Sequence, residues 1–156
     1  MAVREILLFG NDVLRQHCEE VTSFDEELWT LLDDMHETML NAQGIGLAAP
    51  QIGVAKRVVV IDLDDDNGVI ELVNPVITLM RGKQLEPEGC LSLPEKSGVV
   101  KRPARVHVKA FNRYGKRVHY HGTGLLARAF CHEIDHLNGI LYADKVIEWV
   151  KEDEEE

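Results

Sequence analysis

Apolar residues recur at helical spacing in two long stretches of the chain and one short one. In SFDEELWTLLDDMHETMLNAQG, residues 23–44, Leu28, Leu31 or Leu32, Met35, Met39 and Leu40 fall near one face. That predicts an amphipathic helix with Gly44 as its stop. NDVLRQHCEEV, residues 11–21, predicts a short helix capped by Asn11 or Asp12. A last helix is expected from a Thr123 cap through GLLARAFCHEIDHL to Gly139. Between about 55 and 122 the pattern shortens. RVVVIDL, VIELVNPVI, ARVHVKAFN and KRVHYHG are rich in β-branched residues and separated by turn signals such as Asp66-Asn67-Gly68 and Tyr114-Gly115, so this region reads as mostly strand. Helices and strands are segregated rather than alternating, which predicts an α+β fold.

Composition narrows the class. With 156 residues, 45% hydrophobic and 28% charged, the chain suits one globular domain, expected over 1–150. The net charge of −10 disfavours direct binding to nucleic acid phosphates, and KEDEEE, residues 151–156, reads as a solvated acidic tail. No apolar run approaches the roughly 18 residues needed to cross a bilayer, so the expectation is a cytoplasmic protein without a membrane partner. Three cysteines, Cys18, Cys90 and Cys131, are an odd number without paired spacing. Reduced thiols or metal ligation fit that count better than a disulfide framework.

The last helix carries the candidate chemistry. His132 and His136 are four residues apart, so two imidazoles can point at one metal ion, and Glu133 stands where a general base for metal-assisted hydrolysis is needed. A third ligand must come from elsewhere. The metzincin pattern HExxHxxGxxH matches as far as Gly139 and fails at Tyr142, where its last histidine should be. The downstream carboxylates Asp144 and Glu148 are one remaining source, and a cysteine is the other. His17, His36, His107, His119 and His121 lack ligand spacing, apart from the last two, which share a strand face and read as solvent-exposed. Cys18 and Cys131 read as small buried hydrophobes.

Two further stretches stand out: GIGLAAPQIG, residues 44–53, a glycine-rich turn into a short apolar strand ending at Pro50 and Gln51, and EPEGCLSLPE, residues 86–95, with Cys90 in an extended segment. Glycines in the first permit close approach of another backbone, such as a peptide lying along a strand edge. In that order GIGLAAPQ, EGCLS and HEIDH resemble the three signature motifs of the peptide deformylases, over nearly the whole chain. The resemblance implies antiparallel sheets packed around a central C-terminal helix. It implies removal of the formyl group from the N-terminal formyl-methionine of newly made proteins. Position by position, it implies Cys90, His132 and His136 as metal ligands, Glu133 as catalytic acid and base, and Gln51 with the Leu91 N–H as oxyanion donors. Glu88 and Arg102 match a buried ion pair behind the cysteine strand. Gly46 and Gly89 are expected beside the substrate, and Ile45, Leu125 and Ala129 around the methionine side chain.

Spacing alone favours zinc, whereas the resemblance implies ferrous iron, with zinc, nickel or cobalt in isolated material. The chain departs from the family pattern at Cys131, commonly Gln, and at Ser97, in a region where many members have an Arg. The partners implied are formylated nascent peptides. Without a basic C-terminal helix, ribosome proximity would need another surface.

Overall fold

The computed structural model describes residues 2–151, so most of the acidic segment lies outside the described residues. Helix α1 spans Glu26–Asn41. Its start is fixed by Asp25, whose side chain accepts from the Leu28 N–H, and by Glu26 and Glu27 in the first turn, where acidic groups suit the helix dipole. It stops at Gln43, not Gly44: Gln43 takes the left-handed conformation at φ 61°, and the Gly44 N–H returns to the Met39 carbonyl at 2.9 Å.

Strands β1 (Gly46–Ala48), β2 (Val58–Asp62) and β3 (Val69–Arg81) are followed by β4 (Gln84–Cys90) and β5 (Leu93–Arg102). Then come β6 (Arg105–Phe111), β7 (Arg117–Thr123), α2 (Gly124–Leu137) and β8 (Val146–Trp149). All pairings are antiparallel, in a five-stranded sheet β1-β2-β3-β6-β7 and a three-stranded sheet β4-β5-β8. The fold is α+β, with α2 packed among strands of both sheets.

Strand β2 of the larger sheet is buried on both faces. Val59 and Ile61 join a core with Ala127, Phe130, Ile134 and Leu137 of α2, while Val58 and Val60 join a second core with Leu32, Met35 and Met39 of α1. A run of β-branched residues without polar alternation is what such a position requires.

Two further expectations change. The short helix of residues 11–21 shrinks to a 3-10 turn over Asp12–Arg15, with Asn11 accepting from the Val13 N–H. Tertiary pairing takes the rest: the Cys18 N–H bonds to the Leu137 carbonyl at 2.8 Å, and Glu19 pairs with Ala55 and Arg57. Strand β8 was not expected; it forms against β5 through Gly98, where any side chain would strike Val146. No helix among the described residues is long and apolar enough to cross a membrane.

Candidate active site

Helix α2 buries His132, Glu133 and His136 because its neighbours in sequence are core residues; Phe130 and Leu137 are fully buried. Cys90 arrives from the other sheet. It ends β4 at a register shift between Gly89 and Cys90, where the chain turns into β5, and this aims its sulfur at the helix. Cys90 Sγ lies 3.3 Å from His136 Nε2, and ligand atoms of Cys90, His132 and His136 all fall within 4.8 Å of one another. They are the group of three His, Cys, Asp or Glu side chains placed to hold a metal ion among the described residues. Asp144 instead binds Arg15 at 2.6 Å, and Glu148 is exposed on β8. The peptidase alternative therefore has no third ligand here.

The donor set fits a divalent metal. His132 Nδ1 faces Glu88 Oε1 at 3.0 Å, which fixes the ring and leaves Nε2 for the site. Burial opposes charge on His132, yet Cys90, Glu133 and Glu88 outweigh it and push the imidazole up to about 10. The surroundings thus favour a cation at this point. His136 is pushed well below its ordinary range, first by burial and then by the charges of His132 and Arg102, so it stays a neutral donor.

Glu88 is itself buried and would be raised by burial, but hydrogen bonds from Arg102 and His132 bring it down to about 2. Arg102 donates through Nε at 2.8 Å and Nη2 at 2.9 Å, and its Nη1 reaches Asp135 at 2.8 Å. Glu133 behaves oppositely: burial pushes it up to about 7, and its Oε1 has no hydrogen-bond partner. A β-carbon on Gly46 would sit 2.6 Å from Glu133 Oε2, so β1 can lie against the carboxylate only as glycine.

Gln51, expected at a strand end, sits in a 3-10 turn over Ala49–Ile52. Its Oε1 accepts from the Ala48 N–H at 2.9 Å, which turns Nε2 towards Ser92 Oγ at 3.1 Å and Cys90 Sγ at 3.5 Å. Beside these groups opens a cavity of about 490 Å³. Ile45, Gly46, Gly89, Leu91, Leu125 and Ala129 all line it, as do Gln51 and Glu133. Leu125 and Ile45 are 54% and 43% exposed, too open for core residues and suited to covering an apolar ligand side chain.

The cavity lining includes Lys96 where the family resemblance drew attention to Ser97. Cys131 turns away from the metal group into the α2 core, and burial pushes its thiol up to about 11. Two residues were missed in the sequence. Ser92, fully buried, fixes the Gln51 amide; its only signal was the last letter of EGCLS. Arg128, 4% exposed, donates to Glu88; its signal was a charge between two alanines, four residues before His132.

A half-buried cysteine and two imidazoles, beside a raised carboxyl group and a fixed carboxamide, with Cys90, His132 and Glu133 lining one cavity, define a mononuclear metallohydrolase site on an α+β fold. Comparison with known proteins gives the family. The family model described as polypeptide deformylase matches residues 3–152. The chain is 56% identical to the peptide deformylase of Acetivibrio thermocellus, over 100% of this chain and 91% of that protein. It is 53% identical to peptide deformylase 1 of Bacillus cereus, over 99% of both. A crystal structure of a peptide deformylase from Legionella pneumophila superposes with a TM-score of 0.90 at 46% identity, covering 93% of this chain and 86% of that one. The chain belongs to the polypeptide deformylase family.

Proposed function

We infer that the chain is a working peptide deformylase, a metal-dependent hydrolase that removes the formyl group from the N-terminal formyl-methionine of newly synthesised proteins. The products are formate and a free N-terminal methionine. The observation that carries this reading is the Glu133 carboxyl group, unpartnered at Oε1, on the wall of a cavity also lined by Cys90 and His132, two members of the Cys90, His132 and His136 group.

Cys90, His132 and His136 would hold a divalent ion, which would supply Lewis acidity towards the formyl group and the attacking water. Glu133 accepts the proton of the attacking water and returns it to the leaving nitrogen, as a carboxyl group raised towards neutrality suits. Water oxygen joins the formyl carbon, the C–N bond breaks, and the amine leaves neutral. Negative charge develops on the formyl oxygen. Gln51 Nε2, pre-aimed by Ala48 and Ser92, and the Leu91 N–H are the donors assigned to it, each worth about 3 kcal/mol in comparable sites. Ile45, Leu125 and Ala129 receive the methionine side chain, with Gly46 and Gly89 next to the peptide backbone. A single methylene there is worth about 1–3 kcal/mol, so selection of methionine by size is loose.

Ferrous iron is the metal proposed in the cell, with zinc, nickel or cobalt entering on isolation, since an iron-bound thiolate such as Cys90 is open to oxidation. The deciding measurement is formate release from formyl-Met-Ala-Ser, anaerobically, with iron, nickel or cobalt supplied. Release above a Glu133→Ala control is expected. Parity with that control would overturn the reading.

A further inference from the structure

Glu88 has a second arginine. Arg128 precedes His132 by one helical turn on the same side of α2, and its side chain is 5% exposed. Its Nη1 donates to Glu88 Oε2 at 2.5 Å, and its Nη2 reaches the Val100 carbonyl at 3.3 Å and Gln84 Oε1 at 3.4 Å. We propose that Arg128 is a positioning residue for the metal, acting on the ligand His132 through the Glu88 carboxylate.

The geometry gives the reason for two arginines on one carboxylate. Arg102 spans both Glu88 oxygens but is also committed to Asp135 of α2 through its third nitrogen. Arg128 adds a second donor at Oε2 and is anchored to β4 and β5 by Gln84 and Val100. Fixed at Oε2 by both, the carboxylate can present only Oε1 to His132 Nδ1. That keeps the proton on Nδ1 and the Nε2 lone pair in the site, and strengthens the imidazole as a donor. Asp135 is shared between Arg102 and Lys145, whereas Arg128 has Glu88 as its ion-pair partner.

This inference rests on the metal assignment above, and cobalt reads the two separately. A thiolate-to-cobalt absorption band in the loaded parent, abolished in Cys90→Ser, tests the ligand set without reference to Arg128. In Arg128→Met we expect cobalt loss to a chelator about 10–100-fold faster than in the parent. The cobalt d–d bands should shift, and kcat of metal-saturated protein should fall with KM within about twofold. Leu32→Ala, destabilised in the distant α1 core, should lose cobalt at the parental rate. The proposal is overturned if Arg128→Met keeps the parental bands and loss rate, or if Leu32→Ala sheds metal as fast. Should Arg128→Met fail to fold, Arg128→Gln, which keeps a donor for Glu88 but no charge, is judged by the same two readouts.

Discussion

Helices α1 and α2 bury comparable apolar faces but treat their polar residues in opposite ways. On α1 the buried Asp34 receives the Ala2 N–H at 2.7 Å and Arg4 at 2.9 and 2.7 Å, and Thr38 accepts from the Arg4 N–H at 2.8 Å. Those groups secure the N-terminal segment, and each has its partner. On α2, Arg128 Nε, Glu133 Oε1 and His136 Nδ1 are buried without one, and they are all such side-chain atoms among the described residues. Leaving a buried polar atom unpaired costs about 1–3 kcal/mol, so α1 is built for stability while α2 gives some of it up, at Glu133 in keeping a reactive group free.

The sharpest break of that contrast is at Glu133. Glu133→Gln should lower deformylation by about 10²–10⁴-fold while leaving the melting temperature equal to or above that of the parent. A parallel fall in both, measured by formate release and thermal melting, would make Glu133 a structural residue like those on α1. Next in size is Leu32→Ala. Leu32 is fully buried under the larger sheet, and its truncation should cost about 2–5 kcal/mol in urea unfolding with kcat/KM of the folded enzyme unchanged. A matching loss of catalytic efficiency would show that the two cores are coupled.

The smallest effect is expected at Asp34, and it depends on pH. Burial would raise this carboxyl group, but hydrogen bonds from Arg4 and Ala2 outweigh it and hold the folded value below the ordinary one. The stabilisation is therefore present above the unfolded pKa, about 4, and is lost as pH falls through the lower folded value. Asp34→Asn should cost about 1–2 kcal/mol at pH 7, with the gap from the parent closing in acid. A gap that stays constant down to pH 2 in chemical unfolding would remove the ion pair as its cause.

What was legible in the sequence follows the range of the interaction. Both helices and the His132, Glu133 and His136 trio were readable because helical periodicity is local, and a pair of histidines four apart needs only one element. Cys90 was not reachable by spacing; it lies 42 residues before His132, and only the family resemblance joined them. Arg128 and Ser92 stayed hidden for a physical reason. Their roles depend on Glu88 and Gln51, brought in by other strands and turns, so no pattern within their own segments marks them. The segment 11–21 misled because its backbone bonds are taken by Leu137 and Ala55, far away in the chain.

Gly46 has a consequence of a different kind. It is absent from the glycines with left-handed backbone, so an alanine there meets no conformational objection from β1, only the Glu133 carboxylate 2.6 Å away. A library sorted by folding would accept alanine at position 46 once the Glu133 carboxylate swings aside, and the same library sorted by turnover would discard it. At that one residue, folding and catalysis select different sequences.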